Sequence, residues 1–151
     1  MGQAAAQLPS DRVAVLKVID PDAYTAAAYD TGWIDVELFG RVQAVIMAGD
    51  LGTNATIDAK FQSAEDGSGT GVTDVTGAAI TQLTEAGTDS NKQAIINLHV
   101  DNLPDGDKFV KLIVTVGTAT SDMGAILLGF DPRYSPASGY DVASVDEIVS
   151  A

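Results

Sequence analysis

Cysteine is absent from this 151-residue chain, histidine occurs once, and lysine and arginine together number only eight. Without cysteine, neither disulfides nor thiolate metal sites contribute to stability, and the redox compartment stays open. With 21 acidic residues the formal net charge is −13. Such a surface repels phosphate backbones, because nucleic-acid affinity comes mostly from lysine and arginine displacing counterions. Nucleic acid and anionic lipid are therefore not expected partners. No apolar run approaches the roughly 20 residues that a membrane-spanning helix needs. The N-terminus, Met1 to Pro9, has neither a basic start nor an apolar centre, so it does not read as a signal peptide. Met1-Gly2 hints at myristoylation, but Ala6 stands where that signal wants serine or threonine.

What the chain does have is β-period alternation. In Ala55 to Gln62 and in Phe109 to Val116, apolar and polar residues mostly trade places at every position. Successive side chains on a strand point to opposite faces, so each run marks a sheet with one buried face and one wet face. Arg12 to Asp20 reads as the first strand, stopped by Pro21, and Pro21 to Gly32 reads as a loop or short helical turn. Trp33 to Leu38 alternates, with Ile34, Val36 and Leu38 on one face, and Arg41 to Ala48 resumes after Gly40. Ala55 to Ser63 places Ile57, Ala59 and Phe61 inward, and the Asp66-Gly67 turn joins it to a Thr-rich strand or pair of strands over Val72 to Leu83.

Further on, Gln93 to Val100 puts Ala94, Ile96, Leu98 and Val100 on one face, and a turn around Pro104-Asp105-Gly106 leads into Phe109 to Val116. Gly124 to Phe130, nearly all apolar, reads as a strand buried on both faces. About seven to eight short strands at near-regular spacing predict an all-β domain, a jelly-roll-like or Greek-key β-sandwich. Three parts are expected: an N-terminal arm over 1–11, the sandwich over 12–130, and a C-terminal arm or short helix over 131–151. The helical option rests on Val142, Val145, Ile148 and Val149, with Ser144 and Glu147 in capping-box register.

Candidate chemistry is sparse. His99 is the one side chain that titrates near neutrality unperturbed, yet alternation puts it on a solvent face with no nameable partner. The run Asp101 to Asp107 fails the helix-loop-helix calcium pattern at its third and twelfth positions, Leu103 and Leu112. Gly67 to Gly71 is glycine-rich, but neither a lysine nor a helix follows as a phosphate cradle requires. No nucleophile-elbow pattern occurs, and the carboxylates Asp35 and Glu37 lie on the wet face of a strand. Trp33, Tyr24 and Tyr29 either close one end of the sandwich or offer a stacking surface. These readings predict no catalytic residue, no metal and no cofactor, hence a non-enzymatic protein.

Three phrases carry a family likeness: Gly32 to Val36 followed by Val42 to Gly49; Ala59 to Gly67 followed by Asp74 to Ile80; and Phe109 to Val116. Together they resemble the small capsid-decoration (cement) proteins of tailed bacteriophages, over residues 12–130. The resemblance implies a jelly-roll-like subunit, often a homotrimer, that binds the major capsid protein on the outer surface of the virion and stiffens the shell. It also implies synthesis in the host cytoplasm. Contacts to the partner are expected from the arms, at Leu8, Pro9, Arg133 and Tyr134. The alternatives are another phage head or tail protein, a carbohydrate-binding β-sandwich module with the Trp33 region as platform and an acidic loop holding calcium, and a hydrolase using Asp35 and Glu37.

Overall fold

The computed structural model describes residues 7–151. One helical turn, α1 (Pro9–Arg12), precedes ten strands: β1 (Val13–Tyr24), β2 (Ala27–Asp30), β3 (Ile34–Asp35), β4 (Phe39–Ala48), β5 (Thr56–Ala64), β6 (Thr73–Ala79), β7 (Leu83–Thr84), β8 (Gln93–His99), β9 (Phe109–Gly117) and β10 (Ser121–Pro132). Two antiparallel sheets form, ordered β1-β10-β4-β8 and β2-β9-β5-β6, with β3 added on β9 and β7 added on β5. Leaving those two short strands aside, every connection except the β5–β6 hairpin passes from one sheet to the other. First and last strands lie side by side. This is a jelly roll, and the expected all-β sandwich is what the chain adopts.

Alternation decides which side chains meet between the sheets. From β5, Ile57, Ala59 and Phe61 are inward; from β9, Val110, Leu112, Val114 and Val116; from β4, Val42, Ala44 and Ile46. Phe61, Ile46, Ile57, Leu112 and Leu127 are the bulkiest fully buried side chains. Each contributes roughly 1.5–3 kcal/mol by leaving water. Buried polar groups are paired. The Thr31 hydroxyl accepts the Leu112 amide at 3.1 Å, and the buried Ser63 hydroxyl donates to the Asp107 carboxylate at 2.5 Å.

Four expectations need correction. Pro21 does not end the first strand: β1 runs on to Tyr24, and its pairing with β10 slips between Ile19 and Asp22. A bulge on an edge strand tolerates a residue without an amide hydrogen, and β1 is an edge. The following loop contains β2, which pairs with β9 through Ala27 to Asp30. Trp33 to Leu38 keeps its inward Val36, but only Ile34 and Asp35 pair as a strand. Finally, β10 alternates: Met123, Ala125 and Leu127 are buried, whereas Ile126 and Leu128 are half-exposed on the outer face.

At the N-terminal end, residues 1–6 of the expected arm lie outside the described residues, and α1 packs against a 3-10 turn at Ala137–Tyr140. Beyond that turn no helix forms over 141–151. Instead Val142 donates its amide to the Val15 carbonyl at 2.7 Å, and the Val15 amide donates to the Asp141 carboxylate at 2.7 Å. Branched residues such as Val142, Val145, Ile148 and Val149 are weak helix formers. The exposed edge of β1 offers the segment a better partner than its own backbone.

Candidate functional site

The residues nominated from sequence fall in three places. Leu8 and Pro9 lie at the start of α1, and Arg133 and Tyr134 lie just after β10, where the Arg133 amide donates to the Leu38 carbonyl at 2.8 Å. Because α1 and the Ala137–Tyr140 turn pack together, these two segments gather where β1 and β4 begin and β10 ends. Tyr140 anchors that end by meeting Phe39 edge-on at 5.6 Å. Tyr134 stands 60% exposed.

The aromatic candidates are already engaged. Tyr24 and Tyr29 pair edge-to-face at 4.5 Å, and the Tyr29 hydroxyl donates to the Thr25 carbonyl at 3.0 Å. Burial, followed by the nearby Asp20 and Asp22 carboxylates, pushes the Tyr24 phenol up from its ordinary value. Lys111 sets its ammonium 4.8 Å from the Trp33 ring centre. Gly69 of the β5–β6 hairpin sits so close to the same ring that an added Cβ would meet Nε1 at 3.2 Å. With φ +85° at Gly69, glycine suits that position twice over.

His99 is exposed on the outer face of β8, opposite Arg41. It borders a cleft of about 580 Å³ between the β6 and β8 edges, lined by Gln43, Asn97, Thr73, Thr76 and Phe130 among others. Most charged groups there are spoken for. Arg41 donates to Asp131 from Nε at 2.5 Å and from Nη2 at 3.1 Å, and Lys60 and Gln62 both donate to Asp74 at 2.8 Å. Those donors hold the Asp131 and Asp74 carboxyls below the ordinary carboxylate value. In the hairpin, the Thr70 hydroxyl and the Thr70 and Ser68 amides lower Asp66 in the same way. The glycine-rich stretch is thus a turn organised by Asp66. Asp107 is committed to Ser63, and no group of three or more His, Asp or Glu placed to hold a metal occurs among the described residues. No described helix is long and apolar enough to cross a membrane.

Sequence reasoning did not single out the outer face of the β1-β10-β4-β8 sheet. Pairing register aligns Val18, Ile126, Val45 and Ile95 in one row across all four strands. Met47 stands in the next row, opposite Gly124. Ile95 and Met47 are 57% and 55% exposed. The signal was present in RVQAVIMA and QAIINLHV, where the positions between the inward residues include Val45, Met47 and Ile95. Alternation with apolar residues on both sets of positions marks a strand with two apolar faces.

No family model and no curated protein matches the sequence. Among solved structures, the chain is similar to the infectious bursal disease virus VP2 subviral particle at TM-score 0.52 and 12% identity, covering 85% of this chain and 35% of that one. A Triatoma virus structure aligns at TM-score 0.47 and 6% identity, over 85% of this chain and 68% of that one. A CBM4 structure aligns at TM-score 0.41 and 15% identity, over 76% and 68%. The chain spans about a third of the length of the infectious bursal disease virus chains it matches, 35% and 36%. At these identities the likeness concerns the jelly-roll fold.

Proposed function

We propose that this protein is a non-enzymatic structural virion protein, a decoration subunit that binds the outer surface of an assembled phage capsid and bridges its major capsid subunits as a homotrimer. The observation that carries this reading is the jelly-roll fold, which is similar to that of a viral particle protein, joined to phrases that resemble phage cement proteins. The acidic surface agrees with it, since a subunit bearing −13 charges does not compete for packaged DNA. So does the placement of Leu8, Pro9, Arg133 and Tyr134 in two terminal segments that gather at one end. Cyclic symmetry lets one such patch serve several copies. Shells assembled without this chain test the reading. Saturable, stoichiometric binding and greater resistance of the loaded shell to heat are expected; absence of binding rejects it. Light scattering on the free protein tests the trimer.

One observation favours a second reading, a carbohydrate-binding β-sandwich module. The cleft beside β8 presents amide and hydroxyl groups next to the Phe130 ring, the mixture that recognises a polyhydroxylated ligand. A glycan array read with and without calcium separates the two, because a shell-binding subunit shows no sugar preference.

A further inference from the structure

On the outer face of the β1-β10-β4-β8 sheet lies an open groove of about 1010 Å³. Its floor is the apolar row and the one beside it: Val18, Val45, Ile126, Met47 and Gly124. Gly124 leaves the room that Pro21 fills, since a Cβ there would come within 3.1 Å of the proline backbone. Ile95 extends the apolar surface across β8. Isolated exposed apolar residues need no explanation, but a contiguous set spanning four strands marks an interaction surface.

The rim decides the occupant. Asp20, Asp22 and Asp122 line the groove, and no lysine or arginine does among the described residues. A second copy would bring the same three carboxylates and the same net charge of −13 against them, so face-to-face pairing is opposed. The chain's own C-terminal segment, which touches the rim at Ser144, continues into Asp146 and Glu147 and is opposed likewise.

We infer that this face docks a protein segment of another chain, one that presents apolar side chains flanked by lysine or arginine. It rests on the shell-binding reading only for the partner's identity as a capsid subunit. The apolar side chains settle on Val18, Val45, Met47, Ile95 and Ile126, and the basic ones meet Asp20, Asp22 and Asp122. Desolvated apolar centres with charged rims are how protein interfaces divide affinity from orientation.

Two arms test the inference on the full chain. First, a synthetic peptide alternating isoleucine and lysine is titrated while amide chemical shifts are followed, with an isoleucine–glutamate peptide as control. Shifts confined to this face, weakened by about tenfold in Ile95→Glu and Met47→Glu but not in Val72→Glu on the distant hairpin, support it. Shifts spread over the acidic surface, or none, overturn it, as does concentration-dependent self-association through the same residues. Second, the variants are mixed with shells lacking the protein. Wild-type binding lost in Ile95→Glu supports the inference; equal binding of wild type and Ile95→Glu overturns it and leaves the shell-binding reading standing. Failure of the wild type to bind shells, with the lysine peptide still mapped to the groove, removes the shell-binding reading and leaves the docking face.

Discussion

Asp141 takes the amide of Val15 on its carboxylate at 2.7 Å, joining two residues that stand 126 positions apart in the chain. Together with the Val142 amide on the Val15 carbonyl, the bond pins the start of the C-terminal segment to the open edge of β1 at Val15. An uncovered strand edge is a template for pairing with other chains. Asp141→Ala is expected to lower stability by about 1.5 kcal/mol, the typical worth of a hydrogen bond to a charged group. Asp141→Asn keeps an acceptor oxygen and should lose less. Urea denaturation followed by circular dichroism measures both. Coincident midpoints for wild type and Asp141→Ala would refute the bond's role.

Gly129 lies where Phe39 and Leu16 converge. An added Cβ would meet Phe39 Cδ1 at 2.7 Å and Leu16 Cδ1 at 2.9 Å. Both neighbours are buried, so neither swings aside freely. Gly129→Ala should therefore destabilise by about 1–3 kcal/mol through overpacking. Gly139→Ala is the control, because nothing lies within 4 Å of its added Cβ. Thermal melting of the two variants should differ clearly; equal melting temperatures would show that the core gives way at no cost.

The parts of the fold legible in the sequence were those where one face alone is apolar. Ile57, Ala59 and Phe61 on β5 alternate with polar residues, and they are buried as the period of two requires. Pairing across the chain was not legible. Nothing local in Val13 to Tyr24 announces β10 as its partner, and the edge position that makes Pro21 acceptable is a property of sheet order. Between the arm and the short helix expected for the C-terminal segment, local sequence could not choose, for a related reason. Its valines repeat at helical spacing, but a free strand edge outweighed that weak local preference. The candidate site was half legible. Ile95 stood opposite the expected inward face of β8, but no face was assigned to Met47, and the grouping of both with Val18 and Ile126 needs the register of three strand pairs.

Acid should reveal the Arg41–Asp131 pair. The Asp131 carboxyl is held below its ordinary value mainly by its hydrogen bond from Arg41, with the charges of Arg41, Arg12 and His99 adding to the effect. A carboxyl depressed in the folded state stabilises fully above its unfolded pKa of about 3.9. That contribution fades as pH falls from there through the lowered folded value. In Arg41→Met the Asp131 midpoint should rise towards the ordinary value, read by carbon-detected NMR of the carboxyl. The pair is exposed, at 54% and 47% of its side chains, so the effect on stability at neutral pH should be small. An unchanged midpoint in Arg41→Met would mean that other groups set the Asp131 titration.

The Ser63 hydroxyl, wholly buried on β5, reaches the Asp107 carboxylate and fixes the loop that enters β9. Around this contact the backbone closes three further bonds. The Asp107 amide meets the Pro104 carbonyl at 3.0 Å, the Lys108 amide meets the Ala64 carbonyl at 3.0 Å, and the Val36 amide meets the Lys108 carbonyl at 3.0 Å. Ser63→Ala removes the donor and leaves a half-buried carboxylate with one partner fewer, a change worth about 1.5–3 kcal/mol. Local opening should feel it first, because a loop tied by few bonds unfolds below the global free energy. Hydrogen exchange at the Asp107 and Lys108 amides is therefore expected to quicken in Ser63→Ala more than exchange at Leu112 and Val114 in the middle of β9. Uniform quickening along β9 would instead assign Ser63 to the stability of the whole sheet, and unchanged exchange at Lys108 would show that the backbone bonds hold the loop without it.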